Sequence, residues 1–349
     1  MQYLDGVLLY IFDRFRGERS LSAVFHLLTG KKSSQTIQDA KLFNVSNFFG
    51  VLKQIERSQI VDHSAKLQNV KLIEPNQHDG FKVTLKGKEK LGAFLVDNPI
   101  PTYLEGWKYH SISDLFWQRL SLYVQTLSYS IHGNMNFYPI SKEENIQNWV
   151  RLHFPSMKEQ RAILANDLYK EISAILLHLP SHHAALFVNR LSGKGRTGLT
   201  FAQMSTSNKI SVEEATVQFQ NVIHAFLTYI QNNPLQFPIL GTVAKGYEGE
   251  WPLTSSTRQT YTILQSGVSL EQIAQRRRLK RSTIEDHLVE IAINVPGFSI
   301  DPFVSQDAQR EIRLASEKLN SQRLKLIKQY LDDNYSYFEI RLTLCKEGI

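Results

Sequence analysis

Apolar residues recur every three or four positions along most of this chain, a spacing that predicts helices. Near the C-terminus, Ala308, Ile312, Ala315 and Leu319 form a single stripe, which Leu324, Ile327 and Leu331 repeat. Ser336 and Glu339 make a capping box ahead of Ile340 and Leu344. Long amphipathic runs occupy residues 111–131, 157–178 and 211–230. Three short helical segments are predicted at 20–28, 33–41 and 46–58. One stretch departs from this spacing. "NVKLIEPNQHDGFKVTL" alternates apolar and polar residues on both sides of a turn rich in Pro, Asn, Asp and Gly, which predicts a hairpin.

Two stretches break the helical texture. "VDNPIPTYLEG" (96–106) and the proline- and glycine-rich "QNNPLQFPILGTVAKGYEGEWP" (231–252) have compositions unsuited to helix or strand. They divide the chain into expected domains at 1–95, 106–232 and 253–349, with a weaker break at 295–302. The expected class is mainly α. The order of three helices and a hairpin in the first domain is that of a winged helix, and "FKVTLKGKEKL" resembles the second wing strand and following helix of that family.

Composition narrows the setting. In a chain of 349 residues, 42% are apolar and 21% charged, a globular balance. The net charge of +7 favours an anionic partner, nucleic acid before membrane. One cysteine, Cys345, excludes intramolecular disulfides and a cysteine-based zinc site, and points to a reducing cytoplasm. The opening segment has Asp5 and Asp13 beside its apolar stretch and does not read as a secretory signal. No uncharged run approaches the roughly 20 residues of a membrane helix. A soluble cytoplasmic protein, associated with the nucleoid, is expected.

A helix-turn-helix is predicted over 257–293. Ser269 is the N-cap of a short helix whose inner face is Leu270, Ile273 and Ala274. After a turn around Leu279, Ser282 is expected to cap a second helix, with Glu285 completing a capping box and Ile284, Leu288 and Ile291 facing inward. A helix at 257–265, ended by Gly267, makes the three-helix unit. The segments "TYTILQSGVSLEQIAQRRRLKRSTIEDHLVEIA" and "RLKLIKQYLDDNYSYFEIRLTL" resemble the helicase-associated helix-turn-helix family, a module found behind the core of some RecQ-type helicases and at the end of separate proteins. Over its full length the chain is similar to the stand-alone YpbB-type proteins, usually encoded beside a RecQ-type helicase gene. That resemblance implies a RecQ-type helicase as partner, in DNA repair or recombination. "STIEDHL" also resembles the recognition-helix start of bacterial response regulators. A transcription regulator with a dimerising or sensing middle domain therefore stands as the alternative, and oligomeric state is left open.

Arg276, Arg277, Arg278, Lys280 and Arg281 cluster through the turn, where a helix-turn-helix meets phosphates, and Ser282 and Thr283 offer hydroxyls and helix N-terminal amides. The alternative is a solvated charge run at the negative end of a helix. Base reading is not expected, because the second helix opens with Glu285 and Asp286 and not with the Arg, Asn or Gln of the common bidentate pairs. Lys82, Lys86 and Lys88 near the wing, and Lys194 and Arg196 in "GKGRTG", are secondary candidates for phosphate. Phe49, off the apolar face of its predicted helix, is a candidate for protein docking.

Catalysis is not announced. "GKGRTG" fits a dinucleotide-binding pattern, but Glu213 and Glu214 follow Ser211 in a capped helix and not at a strand end. The phosphate-binding spacing of a motor is absent. His178, His182 and His183 cluster, yet Pro180 breaks the face between them. The expectation is a non-enzymatic protein with no cofactor, no metal and no catalytic residues.

Overall fold

The structure, a computed structural model, describes residues 1–76, 80–246 and 251–346. Its N-terminal part runs α1 (Tyr3–Phe15), α2 (Leu21–Thr29), α3 (Ser34–Leu42), a 3-10 turn (Ser46–Phe48), α4 (Arg57–Asn69), β1 (Ile73–Pro75), β2 (Phe81–Val83) and α5 (Leu85–Asp97). The strands pair antiparallel with Glu74 opposite Lys82, and Ser20 bridges to Gly80 beside them. The turn residues Gln77, His78 and Asp79 lie outside the described residues. Helices followed by a small hairpin give the winged-helix-like order expected, with one correction. Residues 46–58 do not form the third helix; α4 does. Gly50 sits at φ +67, and its N–H donates to Leu27 O (2.8 Å) while that of Leu52 donates to Leu28 O (3.0 Å). These two amides bond to the end of α2, and the segment's own turns are short three-residue ones, so no continuous helix forms. Phe48 and Phe49 are both 1% exposed as a result, so Phe49 is a core residue and not a docking surface.

The middle of the chain holds α6 (Gly106–Tyr109), α7 (Ser113–Ile131), α8 (Glu144–His153), α9 (Lys158–Leu176), α10 (Ser181–Arg190), α11 (Phe201–Asn208), α12 (Val212–Asn232) and α13 (Pro238–Ala244). Capped by Ser211, α12 is the axis of this part; it packs on α7, α9, α10, α11 and α13 and buries Phe219, Val222, Ile223 and Phe226. The stretch 231–252, read as a linker, contains α13. Pro238 occupies the first turn, where a missing N–H is harmless. The buried Glu171 carboxylate accepts from Ile239 N (3.0 Å) and Leu240 N (2.8 Å), fixing that helix start.

The C-terminal part runs α14 (Ser255–Leu264), α15 (Leu270–Arg277), α16 (Arg281–Asn294), α17 (Gln306–Leu319), α18 (Leu324–Tyr330) and α19 (Tyr337–Lys346). The three domains expected in succession group into two compact units. Residues 1–4 and the described residues of 95–248 form one; the described residues of 5–94 and 249–349 form the other. In the second unit α3 packs on α16 and α19. Gln322 N donates to the Glu18 carboxylate (2.8 Å), and the Arg323 guanidinium to Gly17 O (3.0 Å). The protein is mainly helical, with one small hairpin among the described residues. No helix among them is long and apolar enough to cross a membrane.

Candidate nucleic-acid interface

The helix-turn-helix is α14, α15 and α16. Ser269 caps α15 as expected, in a capping box with Gln272. The helix ends on Arg278 at φ +52, ψ +42, a left-handed conformation in which glycine is favoured. Its N–H and that of Leu279 close the turn on the Gln275 and Ala274 carbonyls. Next, α16 begins two residues earlier than expected. Lys280 is its N-cap, with no side-chain cap bond, and Ser282 lies inside the first turn. Glu285 therefore does not complete a capping box. It accepts instead from Arg281 Nε one turn back (3.0 Å), and Glu271 holds the same guanidinium from α15.

Burial divides α16 sharply. From His287 to Ile293 every residue is buried, the helix being covered by α14, α15, α3 and α19. The helix that follows the turn is thus a core helix of the unit. Side chains that reach solvent are confined to its first turn and a half, where Ile284 alone is buried, and to the half-buried Asn294 at its end. Asp286 is itself engaged by Arg341 of α19 (2.5 Å).

Polar groups buried on the inner face lock this arrangement. The Glu290 carboxylate accepts from Thr254 N (2.5 Å), Thr254 Oγ1 (3.1 Å) and Thr257 Oγ1 (2.6 Å), joining α16 to the start of α14. One turn away, Thr260 Oγ1 lies 2.8 Å from His287 Nδ1 and accepts from Arg277 (2.6 Å). Arg277 also donates to Ser256 O (2.5 Å) and Gln259 Oε1 (2.9 Å). This network is not visible in periodicity alone. The available signal was a threonine every third residue on α14 (Thr254, Thr257, Thr260) facing His287 and Glu290, spaced by three on α16.

Burial, with Arg277 nearby as a second cause, lowers the His287 pKa to about 4, so the ring is neutral near pH 7. An unfolded chain takes up a proton as the pH drops below about 6.5, whereas the folded one refuses it. His287 therefore withdraws stability as pH falls from about 6.5 towards 4. Burial raises the Glu290 pKa, which acts in the opposite sense: stability is lost as pH rises through its titration. The His287 contribution is isolated by comparing the protein with H287Q in thermal unfolding. The variant's melting temperature is expected to fall less between pH 7 and pH 5.

The basic cluster is thereby sorted. Arg277 is tied to α14 and Arg281 to Glu271 and Glu285. Arg276, Arg278 and Lys280 are exposed and form no ion pair among the described residues, and Ser282 is exposed beside them. Thr283 is half-buried. At the hairpin, Lys82 lies on β2, whereas Lys86 and Lys88 lie in the first turns of α5, with Lys86 donating to Val70 O (3.0 Å). Lys194 and Arg196 belong to the middle part of the chain, on a tight turn in which Gly193 and Arg196 bridge and Gly195 has φ +79. In the histidine cluster, His178 stacks on Tyr229, and His182 lies against His183. Among the described residues no three potential ligand side chains converge on a metal position.

The geometry agrees with what the chain is similar to. A family described as a helix-turn-helix domain matches residues 256–344. The chain is 33% identical to Protein YpbB of Bacillus subtilis (strain 168) over 348 residues, which is 99% of this chain and 98% of that protein. No solved structure matches it. With a helix-turn-helix that implies a DNA partner, and a likeness that runs nearly end to end, the chain belongs to the YpbB family.

Proposed function

We propose that this protein is a non-enzymatic accessory that grips duplex DNA by its phosphates through the helix-turn-helix and works with a RecQ-type helicase in DNA repair or recombination. One observation carries the DNA-binding part. With α16 buried from His287 to Ile293, the module offers DNA the first turn and a half of that helix, flanked by Arg276, Arg278 and Lys280. Unpaired cations beside helix N-terminal amides suit phosphate, and a buried helix cannot lie in a major groove to read base edges. Arg277 and Arg281, committed within the module, orient the cluster without meeting DNA. The helicase partner rests on the resemblance of the C-terminal segments to the helicase-associated module.

Affinity is expected to be nearly equal across duplexes of unrelated sequence and to fall steeply with salt, in fluorescence anisotropy at several ionic strengths. A preference of orders of magnitude for one operator would favour the regulator reading instead. For the partner, a tagged copy in native lysate is expected to co-purify a RecQ-type helicase and to change its unwinding rate. If neither occurs, the helicase role is lost while DNA binding stands.

A further inference from the structure

The middle part of the chain contains a cleft that the helix-turn-helix does not use. It has a volume of about 640 Å³, in the range of binding pockets. Trp117, Tyr129, Tyr138 and Phe201 line it together with Arg190 and Arg196, and no aspartate or glutamate does.

Arg190 is the unusual member. Its guanidinium lies 4.0 Å from the ring centre of Phe201, 4.8 Å from that of Phe219 and 5.7 Å from that of Trp117. Its one hydrogen bond among the described residues, to Leu199 O, is long at 3.3 Å, and its Nε is buried without a partner. A cation withdrawn from water normally has a carboxylate beside it. This one has aromatic faces and an open cleft. Burial lowers its pKa to about 10, which leaves it charged at neutral pH.

Tyr138 is the second unusual member. It is 96% exposed, yet its backbone is pinned: the buried Gln125 donates to Tyr138 O (3.2 Å) and accepts from Ile140 N (2.9 Å). Beside it, Phe137 stacks on Tyr129 with ring centres 4.6 Å apart. A phenol held out in water on a fixed support gains nothing for the fold. Across the cleft, the turn bearing Lys194 and Arg196 is fastened by Lys194 N to Ser128 Oγ (3.0 Å). Gly198 lets that turn close, because a Cβ there would stand 2.1 Å from Arg190 O.

We infer that this cleft binds single-stranded nucleic acid, with bases stacking on Tyr138 and the neighbouring rings and the phosphodiester chain met by Arg190, Arg196 and Lys194. An exposed ring, Tyr138, with half-buried rings beside it and cations that lack acidic partners, suits sequence-tolerant recognition of unpaired strands. A purely acidic partner would use the cations and leave the rings idle. The site lies outside the helix-turn-helix, so it is independent of the duplex contact proposed above.

The test uses the full chain and a fluorescent oligothymidylate, with a duplex measured in parallel. The substitutions Y138A and R196A alter exposed side chains and leave the core intact. Each is expected to weaken oligothymidylate binding, Y138A by roughly tenfold from one lost stack, and to leave duplex affinity unchanged. The inference is overturned if oligothymidylate does not bind, if both variants bind it like the parent, or if single-strand and duplex affinity fall together. Equal competition by polyglutamate would also overturn it, since charge alone would then account for binding. Loss of duplex binding in the helix-turn-helix variants, with oligothymidylate binding retained, separates the two sites.

Discussion

Replacing the exposed cations of the turn as R276A/R278G/K280A is expected to cut duplex affinity roughly ten- to one-hundredfold near physiological salt. Each surface contact to a phosphate contributes up to about 1 kcal/mol, and every 1.4 kcal/mol is tenfold in affinity. The slope of log affinity against log salt should become shallower by about 3, near one for each phosphate released. Glycine is chosen at position 278 for a reason. Arg278 occupies a left-handed backbone conformation, φ +52, where a side chain is strained and glycine is not. R278G should therefore hold or raise the melting temperature, by the equivalent of up to about 1 kcal/mol. Lost affinity could not then be blamed on a damaged fold. A helix-turn-helix that keeps arginine in that conformation, accepting the strain, gains a charge at the tip of the turn. Anisotropy titrations at several salt concentrations check both quantities. Unchanged affinity would remove these residues from the interface.

Arg277 supplies the internal control. It sits within the same run of charges, yet donates to Ser256, Gln259 and Thr260 of α14. R277A should lower the melting temperature of the unit, an effect its exposed neighbours do not have. Adjacent arginines thus have separable roles that only their partners reveal.

E290A is expected to destabilise the second unit by about 2–4 kcal/mol, the largest stability effect proposed for a single residue here. The carboxylate accepts three hydrogen bonds, and Thr257, whose hydroxyl is one donor, is wholly buried. Removing the acceptor strands those donors away from water and leaves a cavity. E290Q should cost less, because an amide oxygen of the same shape can still accept. The raised pKa of Glu290, due first to its burial, fits this, because the site favours a neutral group over a charged one more than water does. Urea unfolding of both variants decides the matter. Equal losses would mean that the charge, and not the hydrogen bonding, holds α14 to α16. Because α3 packs on α16, probes placed in residues 5–94 should report the same transition as probes in the C-terminal part.

Local chemistry was legible where a few neighbouring residues decide the outcome. The caps at Ser269, Ser211 and Ser336 and the hairpin around its Pro, Asn, Asp and Gly turn follow from side chains within four positions of each other. The helix-turn-helix and its flanking tail were likewise recognisable from their words. The start of α16 lies two residues before the expected one, because a serine followed three residues later by glutamate imitates a capping box. The pair Arg281–Glu285 took that glutamate instead. The apolar spacing of residues 46–58 suits a helix, and nothing in the segment says that the Gly50 and Leu52 amides will bond to carbonyls of α2.

What the sequence determined by itself is the set of elements: a mainly helical chain, a small hairpin, a capped helix-turn-helix and a run of cations in its turn. Tertiary structure alone decided which of those cations face solvent and which face protein. It also decided that α3, from residues 5–94, packs on α16 and joins α14, α15 and α19 in burying that helix from His287 to Ile293. The physical reason is that a helix's caps and periodicity are settled within a turn or two of chain, whereas burial depends on surfaces supplied from hundreds of residues away. His287 and Glu290, polar residues on α16, lie in the core because Thr254, Thr257 and Thr260 hydrogen-bond to them or to their neighbours and because α3, α14 and α19 cover the helix.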